Sequence, residues 1–148
     1  MKLSRRDFLI NLGYGIFLAA NGALAAMFVR FLTPNIVTPA PGPVEIGNSE
    51  EYTVGSLTHI ENARAYLGRD AQGFYAVVAI CTHLGCTPRL DANEFICPCH
   101  GSRFASDGQV LAAPATRALD RAFVGRAANG KLFIDRSRMV NSDYRFAA

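Results

Sequence analysis

No internal repeat, no glycine-rich phosphate loop and no acid–base pair at catalytic spacing stands anywhere in these 148 residues, which leaves no basis for a self-sufficient catalytic or nucleotide-binding site. Net charge is also missing from most of the chain. The formal excess of +3 arises where Lys2, Arg5, Arg6 and Arg30 oppose Asp7 alone, while residues 33–148 carry 11 basic and 11 acidic side chains. A neutral domain has no basic field to hold a polyanion, so no nucleic-acid partner is expected. Cysteine and histidine are scarce, four and three. All four cysteines and two of the histidines nevertheless fall within residues 81–100, and His59, the third histidine, stands alone and carries no assignment.

Those residues form two short runs, Cys81-Thr82-His83-Leu84-Gly85-Cys86 and Cys97-Pro98-Cys99-His100-Gly101-Ser102. Each offers one thiol and one imidazole at ligand spacing, Cys81-x-His83 and Cys97-x-x-His100. Two Cys and two His would satisfy a structural zinc ion, but zinc leaves Cys86, Cys99 and the Gly101-Ser102 continuation without a role, and the spacing is not that of a zinc finger. The same four residues suit a [2Fe–2S] centre with two thiolates on one iron and two imidazoles on the other.

The paired runs resemble those of the Rieske iron–sulfur proteins of cytochrome bc-type complexes. That resemblance implies Cys81, His83, Cys97 and His100 as ligands of one [2Fe–2S] cluster and a disulfide between Cys86 and Cys99, a pair that soluble Rieske ferredoxins typically lack. It further implies that His83 and His100 accept a hydrogen bond and a proton from quinol, and that a cytochrome b subunit completes the quinol site while a c-type haem takes the electron. Two neutral imidazoles in place of thiolates place such a centre at about −150 to +300 mV. Ser102 matches the family serine whose hydroxyl hydrogen-bonds a bridging sulfide. At Phe104 the higher-potential members carry Tyr, and losing that hydroxyl's bond to a ligand thiolate, worth about 1.5–3 kcal/mol, lowers a one-electron potential by up to about 65–130 mV. A lower-potential quinol such as menaquinol is therefore the expected donor. Ala113-Pro114-Ala115-Thr116 stands where the family has a Gly-Pro-x-Pro loop over the cluster, so only Pro114 is carried over as cluster cover.

The amino terminus, Ser4-Arg5-Arg6-Asp7-Phe8-Leu9, resembles a twin-arginine export signal, the route taken by folded proteins already loaded with cofactor. A cluster assembled in a reducing cytoplasm and a disulfide formed on the oxidising side agree with that route. Residues 8–29 then run for 22 positions without a charge, enough to cross a bilayer core of about 30 Å. Basic residues before the span keep the N-terminus cytoplasmic and put the rest on the periplasmic or outer face of the inner membrane. The competing reading is a signal peptide cleaved after Ala23-Leu24-Ala25. It leaves Ala26–Val29 as an apolar stub. Asn21-Gly22 is the span's weakest point in lipid, and an Asn there usually faces a protein partner.

The expected organisation is an anchor over 1–32, a proline-rich linker or hinge over 33–43, and a Rieske domain over 44–148. Strand signals dominate the last part. Phe74–Ile80 reads as a buried strand entered through the turn Asp70–Gly73 after Ala63–Leu67, and Asp107-Gly108 and Asn129-Gly130 mark two further hairpins. The fold class is therefore all-β, a small antiparallel sandwich or barrel with two cluster-binding loops at one end, preceded by one transmembrane helix. The function this implies is a membrane-anchored electron-transfer subunit of a quinol:cytochrome c reductase. The alternatives are the Rieske small subunit of an exported molybdenum oxidoreductase of the arsenite-oxidase kind, and an anchored metal-binding module without redox duty. The residues from Arg136 to Ala148 carry no assignment.

Overall fold

The computed structural model describes residues 4–33 and 42–147, as a helix and a β unit. The expected linker lies outside the described residues from position 34 to 41.

Helix α1, Arg5–Leu32, begins where Ser4 accepts a hydrogen bond from the backbone N–H of Asp7 at 3.2 Å, with the Asp7 carboxylate in the positively polarised first turn. Its 28 residues extend for about 42 Å, long and apolar enough to cross a membrane. Asn21 meets part of its own polar demand, since its Nδ2 donates to Phe17 O at 2.8 Å along the same helix.

The β unit holds ten antiparallel strands in two sheets. The larger sheet contains β1 (Val44–Gly47), β2 (Leu57–Ile60), β3 (Ala65–Asp70), β4 (Gly73–Val78), β9 (Arg121–Arg126) and β10 (Leu132–Val140), in the order β1-β10-β9-β4-β3-β2. The smaller sheet is a meander of β5 (Arg89–Asp91), β6 (Glu94–Ile96), β7 (Arg103–Ala105) and β8 (Val110–Ala112). The three turns expected from the sequence join β3 to β4, β7 to β8 and β9 to β10. The all-β antiparallel fold expected from the sequence is thus present.

Two apolar cores explain why β4 reads as an unbroken hydrophobic run. Side chains alternate across a strand, so Phe74, Ala76 and Val78 enter one core with Leu67, Val124, Leu132 and Ile134, while Val77 enters a second with Tyr66, Phe95 and Phe104. That second core also takes in Cys81 and Cys97, fixing the base of both cluster loops in packed apolar surroundings. β4 ends at Val78 rather than at Ile80 as expected. Val78 N donates to Asp120 O at 2.9 Å and Ala79 N to Arg64 O at 2.8 Å, so the backbone has left the ladder for loop partners before it reaches Cys81.

The unassigned C-terminal stretch proves to be part of the fold. β10 runs to Val140, and the chain then returns so that Phe146 and Phe74 exchange two backbone hydrogen bonds of 2.8 and 2.9 Å. Arg145 Nε donates to Asp70 Oδ2 at 2.6 Å and the Tyr144 hydroxyl to Val124 O at 2.8 Å.

Candidate functional site: two paired cysteine–histidine loops

The first loop leaves β4 and closes before β5; the second joins β6 to β7. Both close with the same backbone pattern. Cys81 N donates to Cys86 O at 2.7 Å and Gly85 N to Cys81 O at 2.9 Å, while Cys97 N donates to Ser102 O at 2.9 Å and Gly101 N to Cys97 O at 3.0 Å. The fifth residue of each loop must turn left-handed, at φ +80° for Gly85 and +78° for Gly101, which glycine accepts without steric cost. Each loop therefore starts on a buried cysteine, and Cys81 and Cys97 are both 2% exposed and unbridged.

The other two cysteines, Cys86 and Cys99, are joined in a disulfide that staples one loop to the other. The Cys97 sulfur lies with theirs in a cluster spanning no more than 4.8 Å. Cys86 and Cys99 spend their valence on each other, which leaves Cys81 and Cys97 as the thiol donors. The imidazoles of His83 and His100 meet edge to face with ring centroids 4.9 Å apart. Among the described residues, His83 Nδ1 is buried without a hydrogen-bond partner. A buried ring nitrogen costs free energy unless it is hydrogen-bonded or ligates something, so two buried, unbridged thiols, two adjacent imidazoles and an orphaned Nδ1 fit a metal cluster. Leu84, beside His83, is 69% exposed and puts an apolar side chain on the surface of the first loop.

A third segment, Ala113–Arg117, ties the two loops together. Thr82 Oγ1 donates to Arg117 O at 2.6 Å, and Ala115 N donates to Ser102 Oγ at 3.0 Å. Ser102 is fully buried, and with its oxygen accepting from Ala115 its own hydrogen is free to donate elsewhere. Pro114 lies half-buried within this segment after a cis peptide bond. Phe104 sits on β7 directly opposite Phe95, both wholly buried in the core that holds Cys81 and Cys97. The structure thus brings every expected site residue to one end of the β unit. His59 lies elsewhere, on β2, with its ring 4.6 Å from that of Tyr66. Sequence reasoning missed Thr82 and the backbone of Ala115 and Arg117 as loop ties, because a main-chain carbonyl or N–H leaves no mark in the sequence.

Two ion pairs brace the β unit, Arg117–Asp120 beside the loops and Arg145–Asp70 at the opposite, turn end of β3 and β4. Arg117 donates to Asp120 at 2.5 Å, and this hydrogen bond with the carboxylate's charge holds its guanidinium above its usual range. Burial alone would raise Asp70, but hydrogen bonds from Arg145 and from the backbone of Gln72 and Gly73 outweigh it and hold the carboxyl below its usual value.

Comparison with known proteins agrees with this geometry. Residues 43–124, more than half of the chain, match the Rieske [2Fe-2S] domain. The chain is 34% identical over 162 aligned residues to the cytochrome b6-f complex iron-sulfur subunit of Parasynechococcus marenigrum, covering 97% of this chain and 89% of that one. It is 32% identical to the same subunit of Prochlorococcus marinus, with the same coverage. A match over 97% of the chain takes in the N-terminal helix as well as the β unit. Among solved structures, the cyanobacterial plasma membrane Rieske protein from Synechocystis PCC 6803 aligns with 62% of this chain and 97% of that one, at 26% identity and a TM-score of 0.41.

Proposed function

The chain belongs to the Rieske [2Fe-2S] family, and from that premise we propose that it is the membrane-anchored electron-transfer subunit of a quinol-oxidising complex of the cytochrome b6-f or bc type. One observation carries the reading. Two buried, unbridged thiols and two adjacent imidazoles are carried on two loops that a disulfide staples together. The relatives named as b6-f subunits support this assembly over the molybdenum oxidoreductase.

In this reading Cys81 and Cys97 would hold one iron of the cluster as thiolates, and His83, through its partnerless Nδ1, and His100 would hold the other. The bound cluster supplies a one-electron acceptor whose potential is raised by its two neutral ligands. The chain's own residues do the rest. An imidazole with one nitrogen engaged keeps the other for a quinol hydroxyl, so His83 and His100 bind and orient the quinol and receive its proton. Leu84 excludes water from the contact. Ser102, its hydrogen uncommitted, donates toward the cluster side of its loop, while Phe104 offers no such donor and favours a lower potential and a menaquinol-like substrate. The electron then passes to a c-type haem, and a cytochrome b subunit completes the quinol site.

The N-terminal helix anchors the chain, with Arg5 and Arg6 read as a twin-arginine signal and the β unit on the periplasmic or outer face of the inner membrane. Iron and acid-labile sulfide analysis tests the ligand set. About two of each per chain are expected, with both lost in Cys81→Ser and Cys97→Ser. A chain that carries stoichiometric zinc and no sulfide would overturn it.

A further inference from the structure

Cys97 is close to a bond it does not share. Its sulfur lies within 4.8 Å of the sulfurs of both Cys86 and Cys99, which are disulfide-bonded to each other. While Cys97 is a cluster ligand its lone pair is committed. Freed as a thiolate, it becomes a nucleophile beside a disulfide, the two ingredients of thiol–disulfide exchange. We propose that loss of the cluster lets Cys97 attack the Cys86–Cys99 disulfide, moving the staple to Cys86–Cys97 and releasing Cys99. The inference rests on the reading of Cys97 as a cluster ligand.

The step balances without an outside oxidant or reductant. The Cys97 thiolate forms a bond to Cys86 Sγ, the Cys86–Cys99 bond breaks, and its electron pair leaves on Cys99 Sγ, which takes a proton from water; one disulfide is consumed and one is made. The direction of attack follows from the chain. A Cys97–Cys99 bridge would close a small ring through Pro98, whose backbone φ is fixed, whereas Cys86–Cys97 still joins the first loop to the second. Burial points the same way, because Cys97 is 2% exposed and Cys99 is solvent-exposed, so the exchange leaves the new staple in the apolar core and turns the leaving thiolate out to water. Exchange needs the attacking sulfur in line with the scissile bond. With all three sulfurs inside 4.8 Å, Cys97 does not lie in line with the scissile bond at van der Waals distance, an arrangement that would put it farther than that from the leaving sulfur, so the loop must shift before reaction. Ligation to the cluster prevents that shift.

The consequence is a one-way cofactor site in an oxidising compartment. A chain that loses its cluster there buries a ligand thiol in the wrong disulfide and cannot be reloaded without a reductant. That chemistry favours cluster insertion before export.

The test uses the purified full-length chain in detergent. Iron is stripped by a chelator under anaerobic, non-reducing conditions, released sulfide is removed by gel filtration, and free thiols are alkylated after denaturation and located by peptide mapping. The expected result is a shift of label from Cys97 to Cys99, with a Cys86–Cys97 cross-link, while the iron-loaded control denatured in the alkylating reagent keeps Cys86–Cys99 and is labelled on Cys81 and Cys97. Label that stays on Cys97 after stripping would overturn the exchange. Iron content of the starting material separates the two readings, since a chain purified without iron overturns the ligand assignment instead. In Cys97→Ser, incubation with added sulfide should leave the native pair in place; scrambling there would assign any exchange to sulfide and overturn the role of Cys97.

Discussion

The Thr82 hydroxyl donates to the carbonyl of Arg117 across 35 residues of sequence, at 2.6 Å, and so fastens the loop that carries His83 to the segment that also holds Ser102. An imidazole proposed to meet a quinol at hydrogen-bond range needs a loop that does not drift. Thr82→Ala removes this tie at a cost of about 0.5–1.5 kcal/mol. Faster cluster loss on mild heating is expected, followed by the decay of visible absorbance. Thr82→Ser should restore the wild-type rate, whereas Thr82→Val should not.

Ser102 works from the other loop. Its oxygen accepts from Ala115 N inside a fully buried site, so Ser102→Ala strands a buried N–H at about 1–3 kcal/mol and removes the hydroxyl proposed to donate toward the cluster. Lower thermal stability and a lower midpoint potential should appear together in this variant. A stability loss with no change in midpoint would leave Ser102 a purely structural tie.

Phe104 tests the tuning argument in the opposite direction. Phe104→Tyr adds a hydroxyl to a ring that packs in the same core as Cys81 and Cys97. A rise in midpoint of up to about 65–130 mV is expected where that hydroxyl reaches a thiolate. An unchanged midpoint in a correctly folded variant counts against Phe104 as the cause of a low potential.

The staple is open to a direct test. Replacing Cys86 and Cys99 together by Ser leaves the thiols of Cys81 and Cys97 in place but unlinks the loops. A folded β unit with a labile cluster is expected, read as iron retention during gel filtration against the wild type.

Acid stability should report the Asp70–Arg145 contact. The Asp70 carboxyl is held below its usual value in the folded chain, so its contribution is present above the unfolded value near about 3.9 and is lost as pH falls through the lower, folded one. The Asp70 side chain is 35% exposed, which limits the contact to roughly 0.2–1 kcal/mol. Asp70→Asn should lower the melting temperature at pH 7 and converge with the wild type once pH has fallen below the depressed, folded-state value of Asp70.

The sequence made the chemistry legible because its signals are local. Cys81–Cys86 and Cys97–Ser102 each lie within six residues, and the turns at Asp70–Gly73, Asp107-Gly108 and Asn129-Gly130 each announce a hairpin within a few positions of the strands they join. What stayed hidden depends on long-range pairing. Phe146 bridges to Phe74 and Arg145 pairs with Asp70, contacts that close a tail with no strand-like pattern of its own. The loop ties at Ala115 and Arg117 use main-chain atoms, which any residue supplies. The end of β4 was missed by two residues because Ala79 and Ile80 are as apolar as the strand they follow, although the backbone has already changed partners.

Redox titration of membranes containing the chain, read by electron paramagnetic resonance with and without a quinol-site inhibitor of bc-type complexes, bears most directly on the proposed function. A Rieske-type signal whose line shape shifts with inhibitor, and whose midpoint lies below the upper end of the family range of about −150 to +300 mV, is expected. A signal blind to the inhibitor would contradict a place at a quinol-oxidising site, and the absence of any such signal would contradict the cluster itself.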